Sequence, residues 1–285
     1  MKKWMTLMFV LVLTLGLAAC NDTATPSSET KKENTSDLTL QEVFAQSLEQ
    51  SEKIESLRAS IDMTQVVEIS AQEISMETAS KMDMDMVIEP LSLYQKGTTS
   101  MKMLGDDSTE QPEAVEIESY LTDQGFFMYD SMSNQWMKLP TDMYDQILSM
   151  SQNQADPSQQ LKDLESFLDD FTFEQNDSSY ILKLAASGDK FNSLIQKQMS
   201  ETMPDMMVEE QELLKDMNVE KVNFEIFIDK KTFNTSAMNI IMDMTMAVEG
   251  EDMKISQNIK SIYSKFNDVE SIKAPQDVVE NAEEM

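Results

Sequence analysis

Two hydrophobic periods follow one another along this 285-residue chain. Over residues 40–57, apolar side chains recur every three or four positions, which predicts an amphipathic helix. Thr39 stands three residues before Glu42, the order of a capping box, and marks the start of this helix. From Arg58 to Ile88 the period is two, which predicts antiparallel strands with one face in water.

More strands are predicted on both sides of the middle of the chain. Runs of period two occur at residues 91–94, 98–104, 115–121, 126–129, 135–139, 171–173, 180–184, 222–228, 238–248 and 253–266. Turns are expected where Gly and Asp cluster between these runs, at 96–97, 105–107, 123–125 and 249–252. The pattern is that of several antiparallel hairpins.

The middle of the chain has helical spacing. Residues 143–150 predict one helix, and Asp156 followed by Pro157 predicts the N-cap and the first residue of another. Two further helical segments are expected at 191–203 and 207–217. The predicted fold class is therefore α+β: a strongly curved antiparallel β-sheet with helices packed on its concave side.

The N-terminus has the features of an export signal. A short positive start is followed by an apolar run at residues 5–17, which is too short to span a bilayer comfortably and is typical of a signal peptide. Residues 17–20, Leu-Ala-Ala-Cys, resemble the lipobox of bacterial lipoproteins, in which the cysteine thiol receives a diacylglyceryl group and becomes the first residue of the mature chain. Cys20 is the only cysteine, so we expect lipid attachment there. The alternative is an ordinary secretory signal with an incidental cysteine.

Three segments follow from these patterns. Residues 1–19 are the predicted signal peptide, 20–36 a lipidated flexible tether, and 37–285 a single folded domain. The tether has no large apolar side chain after Cys20, so its burial cannot offset the entropy of ordering. The length of the folded part also permits two domains divided near residue 150.

Composition excludes many function classes. The chain has no histidine, which removes the commonest general base and metal ligand. Its 52 acidic against 22 basic residues give a formal charge of −30, which would repel nucleic acid. We therefore expect that the protein is not an enzyme, has no cofactor and binds no nucleic acid, and that it is a monomer. Together with the predicted lipid attachment at Cys20, this places it at the extracytoplasmic face of a cell membrane, held by its diacylglyceryl anchor.

Methionine is unusually frequent, with 26 residues. Its flexible, polarisable side chain adapts to varied apolar partners. Two stripes in the predicted strands are candidates for the lining of an acyl-chain cavity: Met82, Met84, Met86, Met242, Met244 and Met246. The alternative is that Met replaces Leu and Val in an ordinary core. A thioether copper site is disfavoured, because these residues alternate within strands rather than cluster in flexible segments.

Paired carboxylates and one aromatic hairpin are weaker candidates. Calcium needs six to eight converging oxygens, usually from an Asp-rich loop with a glycine, and no such loop occurs, so no metal site is expected. The pairs are Asp83/Asp85, Asp106/Asp107 and Asp169/Asp170, and we interpret them as solvated surface. The hairpin contains Phe126, Phe127, Tyr129 and Trp136, which favour core packing and leave a ligand or partner face open.

The order of elements resembles that of LolA/LppX-like envelope lipoproteins and their uncharacterised Gram-positive relatives. The resemblance rests on residues 56–63, on 125–129 with 135–139, on 226–232 and on 272–275, and covers most of the mature chain in loose patterns. It implies an unclosed half-barrel whose apolar cavity accepts lipid acyl chains. We therefore expect a membrane-anchored lipoprotein that binds a lipid or another acylated ligand. The alternative is an interaction or sensory module with a packed interior that meets an envelope protein.

Overall fold

The computed structural model describes most of the chain from residue 23 to residue 284. The described ranges are 23–27, 31, 34–69, 72, 74–104, 113–154, 156–186, 191–194, 217–248 and 251–284. The predicted signal peptide, Cys20, the turn predicted at 105–107 and most of the helical segments predicted at 191–203 and 207–217 lie outside them.

The described residues form one thirteen-stranded sheet and a small number of helices. The strands are β1 (Thr25–Pro26), β2 (Ser56–Ile69), β3 (Ile74–Val87), β4 (Ser92–Leu104), β5 (Val115–Thr122), β6 (Gly125–Asp130), β7 (Gln135–Lys138), β8 (Thr172–Gln175), β9 (Ser179–Ala186), β10 (Asn218–Asp229), β11 (Thr235–Val248), β12 (Glu251–Ser264) and β13 (Glu283–Glu284). The helices are α1 (Leu40–Ser51), α2 (Thr141–Gln154), α3 (Pro157–Leu164), a 3₁₀ helix (Glu165–Asp170) and α4 (Gln276–Asn281). No helix in the described ranges is long and apolar enough to cross a bilayer.

The sheet is open and almost entirely antiparallel. Its strand order is β1-β8-β9-β10-β11-β12-β2-β3-β4-β5-β6-β7-β13. Only the outermost pairs, β1 with β8 and β13 with β7, are parallel. Because β12 pairs along its length with β2, strands from both halves of the chain share one sheet. A twisted sheet of this many strands curls, so the predicted α+β fold with a strongly curved, unclosed antiparallel sheet is confirmed.

The capping box and the first strand pair follow the predicted pattern. The Thr39 hydroxyl accepts from the Glu42 backbone N–H, and the Glu42 carboxylate accepts from the Thr39 backbone N–H at 2.8 Å. In β2, Leu57 and Ala59 are buried on one face, while Asp62 on the other is exposed. Alternation with period two therefore assigns the faces of this strand correctly.

Two predicted boundaries are wrong. The first helix ends at Ser51 rather than at Leu57, because Leu57 pairs with Met86 as part of the sheet. The turn predicted at 96–97 is also wrong, since β4 runs through Gly97 without interruption. A Cβ at Gly97 would lie 2.0 Å from the carbonyl oxygen of Lys81 on the neighbouring strand. This glycine serves close approach of two strands and not chain reversal.

The main core lies between the helices and one half of the sheet. Helices α1 and α3 and the 3₁₀ helix bury apolar side chains against β9, β10 and β11 on the concave face. The buried residues include Val43, Phe44, Leu161, Leu164, Phe167, Leu182, Leu184, Val222 and Ile226. Smaller clusters surround Leu57 with Ala59, and Leu91 with Leu121, so the middle strands have less dense cover.

Part of the predicted tether, residues 20–36, lies against the sheet. Thr25–Pro26 forms β1, and Ala24 is buried. The side chain of Gln175 donates to the Ala24 carbonyl at 2.7 Å and accepts from the Ser36 N–H at 2.8 Å. This differs from the expectation of a free segment over the whole range. Hydrogen bonding at an open sheet edge holds these residues, and such bonding needs no large apolar side chain.

Candidate ligand-binding cavity

A cavity of about 430 Å³ lies between the concave face and the helices. Its size falls within the range of roughly 300–1,000 Å³ that is typical of small-molecule sites. The sheet contributes Leu57, Ala59, Ile61, Met84, Met86, Leu93, Leu121, Met238 and Tyr263. The helices and loops contribute Ser51, Ile54, Leu91, Ser151, Pro157, Gln160, Leu161, Asn234 and Phe266, and Thr235 at the start of β11 completes the wall.

Strand register brings the apolar residues of the sheet wall together. Leu57 pairs with Met86, and Ala59 pairs with Met84, so these four side chains occupy one face of β2 and β3. Tyr263 of β12 is the other neighbour of Ala59 on the same face. Because residues directly opposite in an antiparallel pair share a face, the wall is continuous across these strands.

On the helical side of the cavity, an N-cap and an ion pair position α3. Asp156 is the N-cap of α3, with its Oδ1 accepting from the Ser158 N–H at 2.8 Å, and Pro157 occupies the first turn as predicted. Lys162 of α3 lies 3.0 Å from Glu52, which follows α1. Both charged side chains are partly exposed, so this pair orients the two helices more than it stabilises them.

The six candidate methionines divide into two groups. Met84 and Met86 line the cavity. The other four lie on the same face of the sheet by register but outside the cavity wall: Met82, Met242, Met244 and Met246. The two stripes belong to β3 and β11, which are separated in the sheet by β12 and β2.

Most of the wall residues were not predicted from the sequence, and two of them show why. Met238 belongs to the predicted apolar face of β11 but precedes the chosen stripe by four residues. Tyr263 lies in a run of mixed character, and its burial in the structure raises the pKa of its phenol. Nothing in the local pattern ranks either residue above its neighbours, because the cavity wall depends on which strands become adjacent.

Asn234 is a polar residue in this apolar wall. It is 9% exposed, and its Oδ1 has no hydrogen-bond partner among the described residues. The turn before β11 fixes its backbone: its N–H donates to the Thr232 hydroxyl at 3.3 Å, and its carbonyl accepts from the Asp229 N–H at 2.9 Å. In sequence, Asn234 is an ordinary turn residue, so its unpaired side chain could not be foreseen.

A second and more open cavity of about 1,250 Å³ adjoins the first. The two share Ser51, Ile54 and Leu91 in their walls. We call the second cavity the acidic mouth, since its charged wall residues are five carboxylates and one ammonium group: Glu52, Glu55, Glu89, Asp123, Asp156 and Lys162.

The aromatic residues of the β6–β7 hairpin lie on both faces of the sheet. Phe126 packs beside the cavity in the cluster of Leu91 and Leu121, whereas the other three lie on the opposite face. The ring of Trp136 is 5.6 Å from that of Tyr120 and 5.5 Å from that of Tyr129. Phe127 is fully buried, and Val278 of α4 belongs to the same cluster. These aromatic side chains therefore pack beneath the C-terminal helix.

The predicted carboxylate pairs are scattered. Asp85 accepts from the Arg58 guanidinium and Asp83 from the Ser60 hydroxyl, both across β2 and β3. Asp169 lies in the 3₁₀ helix, whereas the pair at 106–107 lies outside the described ranges. Within those ranges, no three Asp, Glu, His or Cys residues converge as metal ligands.

The protein thus has an open, curved antiparallel sheet with an apolar cavity beneath its helices. Residues 39–283 match the family model described as "Family of unknown function (DUF6612)". The chain therefore belongs to that family. The finer resemblance to LolA/LppX-like lipoproteins stays a prediction. No curated protein sequence matches the chain.

Several solved structures are similar at very low identity. A lipovitellin structure, titled for lipid–protein interactions, is 9% identical with a TM-score of 0.32, and the match covers 79% of this chain but only 26% of lipovitellin. A β-barrel-like DUF1849 protein from Brucella abortus is 10% identical with a TM-score of 0.18, covering 73% of this chain and 98% of that one. A DUF1329 protein from Desulfovibrio piger is 8% identical with a TM-score of 0.22, covering 79% and 91%. We draw no function from these likenesses.

Proposed function

We propose that this protein is a non-enzymatic binding protein whose cavity holds the hydrocarbon of a lipid or another acylated molecule. The observation that carries the proposal is the cavity wall, in which β2 to β5, β11 and β12 contribute only apolar side chains and Tyr263, apart from Thr235 at the start of β11. Burial is worth roughly 0.8 kcal/mol per methylene, so about ten buried methylenes offset much of the cost of association.

The methionines support a flexible fit. Met84 and Met86 contribute unbranched side chains to the wall beside the rigid ring of Tyr263. Thioether side chains adopt several shapes at low cost, so a wall of this kind accommodates chains of differing length or unsaturation. An interaction module with a packed interior, the alternative function, would not need a gap of this volume.

The anchor belongs to the same proposal. A diacylglyceryl group on Cys20 would hold the protein at the extracytoplasmic face of a cell membrane. Few residues separate Cys20 from β1 at Thr25–Pro26. The sheet edge at β8, which pairs with β1, would therefore lie close to the lipid headgroups. A lipid-binding cavity placed there would meet its ligand at the membrane surface.

Photolabelling tests the binding site directly. Bacteria that make the full chain are lysed, the lysate is irradiated with a diazirine analogue of hexadecanol, and the labelled peptides are identified by mass spectrometry. We expect label on the strand segments that contain Ala59 and Met84. Ala59→Phe, which fills the cavity, should reduce this label at least fivefold.

The neighbouring residue provides the matched control. Ser60 lies on the opposite face of β2, so Ser60→Phe should leave labelling unchanged. Thermal denaturation of both variants establishes that they are folded. Label that is spread over surface peptides and is indifferent to Ala59→Phe would overturn the proposal.

A further inference from the structure

The side-chain oxygen of Asn234 is buried and has no hydrogen-bond partner among the described residues. A buried polar atom without a hydrogen bond lowers stability, and such atoms are uncommon in native proteins. The Oδ1 of Asn234 is in this state and is shielded from the cavity, while Asn234 is one of the residues of the cavity wall. The terminal torsion of asparagine is broad, so a small rotation presents the amide to a molecule in the cavity. A ligand that donates a hydrogen bond would satisfy it.

Strand register places Asn234 at the same edge of the sheet as the acidic mouth. Asn234 immediately precedes β11, whose first residues pair with the last residues of β12, with Ala237 opposite Ile262. The end of β12 pairs in turn with the start of β2. Phe266 lines the cavity together with Asn234, and the next residue, Asn267, lines the mouth. A ligand head beside Asn234 would therefore lie near the mouth.

The charges at this edge disfavour an anionic head. The mouth has five carboxylates against the single ammonium group of Lys162, which is already paired with Glu52 at 3.0 Å. The whole chain has a formal charge of −30. A carboxylate head would be repelled and would offer no donor to Asn234, whereas a hydroxyl, an amide or an ammonium group would.

We propose that the cavity selects amphiphiles whose head carries a hydrogen-bond donor, uncharged or cationic, and that Asn234 binds this head. Fatty-acid carboxylates are disfavoured by the carboxylates of the acidic mouth. Heads without a donor are disfavoured because they leave the Oδ1 of Asn234 unpaired. The inference rests on the proposed function, and it adds the chemical class of the ligand and one specificity-determining residue.

Competition among matched sixteen-carbon compounds tests this selectivity. The photolabelling of the full chain by the hexadecanol analogue is repeated with unlabelled hexadecanol, hexadecylamine, methyl hexadecanoate or hexadecanoate as competitor. We expect the alcohol and the amine to displace the probe at about tenfold lower concentration than the ester and the carboxylate, since one hydrogen bond to a buried group is worth about that factor.

Substitutions distinguish the contribution of the Asn234 amide to selectivity from that of the carboxylates in the acidic mouth. Asn234→Leu keeps the branched shape of the side chain but removes the amide, and should bring the alcohol and the ester to equal potency. Asn258→Leu, on the exposed face of β12, is the matched control and should change nothing. Replacing Glu89 and Asp123 together by Gln and Asn should lower the concentration of hexadecanoate that displaces the probe, and raised salt should do the same.

The outcomes distinguish the two proposals. If all four competitors displace the probe equally, or if Asn234→Leu preserves the preference for the alcohol, head-group selectivity is overturned while cavity binding stands. If no competitor displaces the probe and no cavity peptide is labelled, the proposed function itself fails.

Discussion

Gln175 fastens the N-terminal segment to the sheet, and Gln175→Leu is expected to release this segment. The side chain is 1% exposed. Its Nε2 donates to the carbonyl oxygens of Ala24 at 2.7 Å and Ser36 at 3.1 Å. Its Oε1 accepts from the Ser36 N–H at 2.8 Å and from the Lys230 ammonium at 2.9 Å. A single side chain thus joins the N-terminal segment, β8 and the turn after β10.

The expected loss of stability in Gln175→Leu follows from these hydrogen bonds. Neutral hydrogen bonds contribute about 0.5–1.5 kcal/mol each, and a bond to a charged group contributes more. The loss is limited because the released segment and the Lys230 ammonium regain hydrogen bonds with water. We expect the free energy of unfolding to fall by about 2–4 kcal/mol, and the melting temperature by about 5–12 °C for a domain of this size.

Limited proteolysis separates local release from global unfolding. Lys31 lies in the fastened segment, where its N–H donates to Asp177 at 2.8 Å, and it is a trypsin site. In Gln175→Leu, cleavage at Lys31 should accelerate at least tenfold under conditions in which the sheet stays intact. Gln159 is an exposed glutamine on α3, and Gln159→Leu is the control. It should change neither the cleavage rate at Lys31 nor the melting temperature. Unchanged cleavage and melting in Gln175→Leu would refute this account of the fastening.

Two further predictions concern the capping box and the anchor. Thr39→Ala should lower the free energy of unfolding by about 1 kcal/mol in urea denaturation at neutral pH. The hydrogen bonds from Thr39 hold the pKa of Glu42 below its usual range, so the stabilisation by this carboxylate is present above the ordinary glutamate pKa and is lost as the pH falls through the lowered one. Cys20→Ser should abolish incorporation of labelled palmitate in bacteria and move the protein out of the membrane fraction. A variant that keeps both label and membrane association would contradict the lipobox assignment.

Local pattern was sufficient for most elements of the fold. The capping box at Thr39, the N-cap at Asp156 and the alternation from Arg58 onward each depend on residues that are near one another in sequence. The turn at 123–125 was also predictable, since Gly125 has a φ of 132° that other residues rarely adopt. Gly97 misled the prediction because glycine serves both turns and close strand contacts.

Long-range adjacency was not accessible in the same way. Nothing in β2 or β12 specifies that Ala59 will pair with Tyr263, some two hundred residues later in the chain. The cavity wall depends on that pairing. The methionine stripes were therefore placed on the correct face, but only Met84 and Met86 could be connected with the cavity after the strand order was known.

The cavity itself reflects an uneven distribution of cover over the sheet. Helices α1 and α3 pack densely on β9 to β11, and α2 contributes Tyr144, Ile147 and Leu148 to the cluster around Leu121. Among the described residues, none fills the space over the middle strands between these two contacts, and Ala59 is the smallest side chain in its wall. An unfilled apolar space lowers stability in proportion to its volume. Ala59→Phe should therefore melt at a higher temperature than the natural chain while it loses photolabelling, as expected when stability is given up for a binding site. A lower melting temperature in this variant would mean that the space is not available to a side chain, and so not to a ligand.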